Sequence, residues 1–276
     1  MRIRFRFAKL GRIRFTSQRD VARMWERALR RAELPLAYTE GFSPRPQLSF
    51  GLALPTGCES LAEYVDVALD ATRAAAGIEA ASLPALLTPL LPEGIDVEVA
   101  VPVEKGPGSL QQLVTSCSWT MRFTGVSREE LRHQVESLLS APTVPIVRER
   151  KGRQEHDDLR PSVLALAVSD DRAVVDGRRD DAVRSVGVVA ELATQPRGVR
   201  PIELVRGLIA VSGGSSFHPS EGQAAAGDRT VGIPALDRAC RTQQWIERDG
   251  IREEPLQRRG IPAETHRAMH ALERAS

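Results

Sequence analysis

The chain opens on a strict alternation. Arg2, Arg4 and Arg6 take every second place against Ile3, Phe5 and Phe7. That period of two is the signature of a strand with one buried face, here with the arginines outward. Residues 9–12 can turn, and Ile13 and Phe15 extend the alternation. At Ser17 the period lengthens to that of a helix, predicted to run to about Glu33. Val21, Met24, Trp25, Ala28, Leu29 and Ala32 share one side of it, while Arg19, Arg23, Arg27, Arg30 and Arg31 fall within one arc on the other. The apolar side needs a sheet to pack on, and the arginine side meets water or an anion. Ser17 suits the N-cap, with Asp20 three places on in a capping-box arrangement. Pro35 ends the helix, because a residue before proline avoids the α region.

The pattern continues through a loop at 38–46, where Pro44 and Pro46 flank Arg45 and hold it away from any helix or ladder. Strands are expected at 47–54, 63–69 and 95–103, with an alanine- and leucine-rich helical stretch at 71–91, broken near Gly77 and Pro84. The order strand, helix, strand, strand, helix, strand predicts a ferredoxin-like α+β domain over residues 1–105. A second, smaller α+β domain is expected over 109–210. It has strands at 119–123, 144–150, 162–168 and 183–192, a helix at 128–140, and a short helix through Leu208 with Pro201 in its first turn. It reads as a degenerate copy of the first, without a close sequence repeat. From Gly213 the pattern fails, so residues 211–276 read as a linker and flexible tail, in which 236–248 form a candidate short helix.

Composition sharpens this picture. Aromatic residues are only 4% of the chain, so its cores must be aliphatic. No apolar run approaches the roughly 20 residues of a membrane span, and the charged first strand is no signal peptide. A cytoplasmic protein with no membrane association is expected. Cys58, Cys117 and Cys240 stand far apart, without the CxxC of a zinc ribbon or the close spacing of an iron–sulfur site. Buried free thiols are the expectation, and no cofactor or metal is. His266 and His270 are four apart in the tail, with no further ligand in view. Glu63, Asp66 and Asp70 read as solvated charge beside a strand.

Net charge is +2, but it is unevenly placed. Residues 1–31 carry eleven Arg and Lys against Asp20 and Glu26, giving +9 and leaving −7 for the remainder. Such asymmetry points to a polyanionic partner or to a solvated face pairing with the chain's own acidic loops. A second basic stretch, with Arg148, Arg150, Lys151 and Arg153, precedes His156, Asp157, Asp158 and Arg160. It predicts an ion-pair network, with a phosphate-binding rim as the alternative.

The block from Arg14 to Phe50 contains Arg14-Phe15, Ser17, Asp20, Arg23, Glu26-Arg27-Ala28 and Arg30-Arg31-Ala32, then Leu34-Pro35, Ala37-Tyr38, Gly41-Phe42, Pro44, Pro46 and Ser49-Phe50. It resembles the bacterial radical-SAM-linked proteins, a family of unknown function. The likeness continues weakly through residues 63–66 and returns at 148–161 and 200–201. Relatives in that family carry a histidine two residues before the helix aspartate, where this chain has Gln18. They often carry another between the loop prolines, where it has Arg45. Glutamine cannot titrate near neutral pH, so the resemblance implies a site that binds rather than reacts.

The resemblance implies a non-catalytic partner of a B12-binding-type radical SAM enzyme. Its binding residues are Gln18, Arg19, Arg23, Arg27, Arg30, Arg31 and Arg45, joined by Arg148, Lys151, Arg153 and Arg160, and RNA is the expected substrate they present. The alternatives are a protein-docking module that touches no nucleic acid and an enzyme acting on RNA. No Gly-rich phosphate loop and no catalytic set supports the last.

Overall fold

The computed structural model describes residues 1–70, 72, 78–104, 108–150, 152–169, 185–212 and 232–256. Lys151, His218, His266 and His270, and most of the expected linker and tail, lie outside the described residues. In the first half, β1 (Arg2–Lys9) lies between β3 (Glu59–Ala68) and β4 (Ile95–Pro102), antiparallel to both. The short β2 (Leu48–Phe50) pairs antiparallel with Val65–Val67 of β3. Helix α1 (Gln18–Arg31) crosses this sheet and buries Val21, Trp25, Ala28 and Leu29. The Trp25 ring sits 5.4 Å from Phe5 and 5.0 Å from Phe7, so the two periodicities read from the sequence meet at one aromatic cluster. Ser17 caps the helix by accepting from the Asp20 backbone N–H, as expected.

The other half is built alike. Strand β5 (Ser116–Thr124) is flanked by β9 (Val186–Ala193) and β10 (Ala235–Arg248), and β8 (Val163–Ser169) pairs outside β9, every pairing antiparallel. Among the described residues, the longer runs of helix after α1 are α2 (Leu83–Leu87), α3 (Leu110–Leu113), α4 (Arg128–Ser140) and α5 (Pro201–Val211). The first half pairs in the order β4-β1-β3-β2 and the second in the order β10-β5-β9-β8. Each follows the same strand and helix connectivity, and a hairpin of β6 (Pro145–Arg150) and β7 (Arg153–Asp158) is inserted between α4 and β8. The halves join edge to edge. Cys240 and Arg241 of β10 pair parallel with Glu59 and Ser60 of β3, and β11 (Ile251–Glu253) pairs with the end of β10, which makes a nine-stranded mixed sheet. This is an α+β architecture.

Several elements differ from the pattern-based reading. Residues 235–248, expected as a short helix in a tail, are β10, at the centre of the sheet. The outward face of β1 is not solvated: Arg6 is fully buried and Lys9 nearly so. Residues from far along the chain cover that face. Arg6 meets Tyr64, Glu254 and the Leu256 carbonyl, and Arg4 forks onto both oxygens of Asp66 at 2.7 and 2.9 Å. Gly11–Phe15 is a 3-10 turn rather than an extension of β1. In the alanine-rich stretch Thr72 is helical and Leu83–Leu87 form α2 between short 3-10 turns, while 71 and 73–77 lie outside the described residues.

Gly94 fixes the approach to β4. Its φ is +88°, and an added Cβ would stand 2.2 Å from the Leu10 carbonyl oxygen. The Gly94 carbonyl also accepts from the Leu10 N–H at 2.8 Å. Gly94→Ala is expected to destabilise the protein by about 2–4 kcal/mol, measured as a fall in the urea midpoint at unchanged slope.

Candidate functional site

The arginine side of α1 faces outward. Arg19, Arg23, Arg27, Arg30 and Arg31 are all exposed. Two of them make long contacts with their own helix: Arg23 to Asp20 at 3.5 Å and Arg30 to Glu26 at 3.3 Å. Pairs so exposed contribute little. Arg19, Arg27 and Arg31 make no ion pair among the described residues. Past the helix, the 38–46 loop closes on itself through Thr39, whose N–H donates to the Arg45 carbonyl and whose hydroxyl accepts from the Arg45 N–H. This holds Arg45 at the surface beside a fully exposed Phe42 and a half-exposed Tyr38.

The second basic stretch is largely engaged within the fold. Arg148 Nε donates to Glu203 Oε1 at 2.6 Å and lies 3.8 Å from Asp157, while Arg197 pairs with Asp157 and stands 3.6 Å from Glu203. Arg160 donates to the carbonyls of Leu139 and Val163, which ties α4 to β8. Arg153 is exposed at the tip of the β6–β7 hairpin. Here the structure has the ion-pair network, tied together by Glu203 and Arg197, which the sequence reading left out.

A cleft of about 800 Å³ opens where the halves join. Residues 52–58 form one wall and 198–202 the other, over a floor that includes Trp119 and Ala239, and Gln18 stands on the rim as the first residue of α1. Gln18 is the one expected binding residue that the structure brings to this cleft. Arg200, Arg238 and Arg241 line it, and sequence reasoning passed over all three. Arg200 had a signal of its own, standing beside Pro201 at a helix start.

Beneath the cleft lies a buried polar cluster. Arg241 Nη2 donates to Glu63 Oε1 at 2.6 Å and to the Leu52 carbonyl at 2.8 Å, with its guanidinium 5.8 Å from the Trp119 ring centre. Burial works most strongly against the charge on Arg241, but Glu63 and Cys117 together outweigh it and hold the guanidinium protonated. Glu59 accepts from the Gly11 N–H at 2.8 Å, with Arg14 at 3.5 Å and Arg238 at 3.9 Å. Glu63 and Asp66, expected as solvated charge, are each 5% exposed, because β3 is covered on both faces. All three cysteines are free and buried, as expected. No group of histidine, cysteine and carboxylate among the described residues could hold a metal ion. No helix among them is long and apolar enough to cross a membrane.

These observations define an α+β protein with a basic helix on one half and a cleft at the seam between two similarly connected halves. The chain belongs to a family described as an uncharacterized protein conserved in bacteria (DUF2344), which it matches over residues 2–196. No curated protein matches it. Among solved structures it is similar to a chain described as "Structure of H/ACA RNP bound to a substrate RNA containing 2'-deoxyuridine", at 11% identity and a TM-score of 0.40. The match covers 87% of this chain and spans 47% of that one, a likeness too distant to assign fold or function.

Burial raises the Cys58 and Cys117 thiols from their ordinary 9.0 to about 11, and Cys240 to about 12. In the unfolded chain these thiols ionise near 9 while the folded ones keep their protons. Their contribution to stability is therefore intact below that pH and falls as pH rises from about 9 toward 11. The thermal midpoint is expected to fall across that window, less steeply in Cys117→Ala. At pH 8 a thiol reagent should modify the native protein only after denaturant is added.

Proposed function

We propose that this chain is a non-catalytic accessory protein that holds an RNA along α1 and works beside a B12-binding-type radical SAM enzyme. The observation that carries this reading is the set of five exposed guanidinium groups on one helix, two of them in contact with an acidic side chain among the described residues. Arginine forks suit phosphate oxygens, and the helix is held rigidly by Trp25, which is fully buried. Two exposed aromatic rings lie near the basic surface: Phe15, with the Arg14 guanidinium 4.6 Å from its centre, and Phe42 on the Arg45 loop. Aromatic faces beside cations are a sequence-tolerant platform for unpaired bases. The radical SAM partner comes from the sequence resemblance. We further infer that each half is a ferredoxin-like unit, on the strength of their shared strand order.

A protein-docking role is the second reading, and Phe42 favours it, since a stiff loop with a fully exposed ring also suits a protein pocket. One titration separates the two. If five phosphates are neutralised, log K for a single-stranded RNA should fall against log salt with a slope of about −3.5. Arg19→Glu with Arg27→Glu should weaken binding by about tenfold or more at low salt. Binding that ignores salt, or that survives the double substitution, overturns the RNA reading. Capture of a radical SAM protein that resists nuclease and is lost in Phe42→Ala supports docking instead.

A further inference from the structure

The cleft at the seam is used by none of the contacts assigned above, and its position relative to α1 gives it a role. Gln18 on its rim is the first residue of α1, so Arg19 is the next residue and Arg23 stands one turn further along the same exposed side. A strand whose phosphates follow the helix arginines therefore arrives at the mouth. Inside, the lining is mixed. Leu54, Val199 and Ile202 offer apolar surface, while charge sits toward one wall.

Of the charged residues there, Asp237 accepts from Arg122 at 2.6 Å and Arg241 is held by Glu63, so both are neutralised within the fold. Arg238 has only a distant contact, 3.9 Å from Glu59. Arg200 is exposed, and the Glu203 carboxylate that accepts from its backbone N–H faces Arg148 and Arg197 rather than its side chain. At the helix starts beside the cleft, Ser17 Oγ already accepts from the Asp20 N–H and the Glu203 carboxylate from the Arg200 N–H. What remains available is the Arg200 and Arg238 guanidinium groups and the Gln18 amide, set around an apolar slot. The volume, about 800 Å³, falls in the range of sites for ligands of nucleotide size.

We propose that the cleft receives one nucleotide of the bound RNA, its phosphate at Arg200 and Arg238 and its base in the slot against Leu54 and Ile202. The Gln18 amide, which can both donate and accept, meets the base edge. This inference rests on the RNA reading above and adds where the strand ends its path.

The test uses the full chain and a ten-nucleotide single-stranded RNA. Gly198 lines the cleft, and an added Cβ there meets nothing within 4 Å, so Gly198→Phe is expected to take up cleft space without a clash at its first atom. Gly198→Phe and Arg200→Ala are each expected to weaken the RNA about tenfold, with the thermal midpoint of Gly198→Phe unchanged. Ultraviolet cross-links from wild type should map to residues 52–58 or 198–202 and vanish in Gly198→Phe. RNA that binds wild type and Gly198→Phe equally, with cross-links only on α1 and the 38–46 loop, overturns the cleft assignment and leaves the RNA reading standing. Failure of wild type to bind RNA at low salt overturns both.

Discussion

The structure depends on the short parallel contact between β10 and β3. Two halves with the same connectivity each leave an edge that needs a partner, and each edge carries unpaired backbone groups. Cys240 and Arg241 against Glu59 and Ser60 satisfy both edges at once. The side chains at that seam are an ion pair, and its geometry explains why it is kept. A buried pair is weak evidence of stability by itself, since an apolar replacement often does as well. Arg241, however, reaches three separate pieces: Glu63 on β3, the Leu52 carbonyl on the cleft wall, and the Trp119 face on β5. An apolar side chain could fill the space but could not orient the Leu52 carbonyl. We read the pair as setting the register between the halves.

The same seam decides what could be read from the sequence. Helix α1 was legible because everything that defines it is local: Ser17, Asp20, a clean apolar stripe and Pro35. Helix α4 was equally so, with Ser127 and Glu130 forming a capping box at its start. Strand β10 was not, because its neighbours come from residues 59–60 and 116–124, and nothing within 235–248 reports them. Its polar run of Arg241, Thr242, Gln243 and Gln244 reads as surface. In the fold Arg241 and Gln244 are fully buried, Gln244 donating to the Ala62 carbonyl at 2.5 Å.

Arginine shows the limit most sharply. The first 31 residues hold nine net positive charges, and periodicity alone cannot sort them. Arg4 and Arg6 on β1 and Arg19 and Arg27 on α1 look alike in sequence. The residues that separate them, Asp66 and Glu254, lie at distances of 62 and 248 along the chain. The excess charge therefore divides. Arg4 and Arg6 of β1 are tied to Asp66 of the chain's own sheet and to Glu254 beyond it, and the arginines of α1 are left facing outward. The expectation of a basic surface was right for the helix and wrong for the strand for one reason: only the strand's outer face is covered.

The cleft follows from how the halves meet. Where the two sheets join edge to edge, the cleft is lined by connecting segments and by the first residues of α1 and α5. The rows of side chains above β3 and β10 are left to whatever connects the elements nearby. Residues 52–58 after β2 and residues 198–202 before α5 supply those walls, and both are non-helical up to the first residue of α5. Such segments tolerate changes of side chain that a packed helix face would not. A gap at the seam is thus a consequence of the architecture, while its chemistry belongs to this chain.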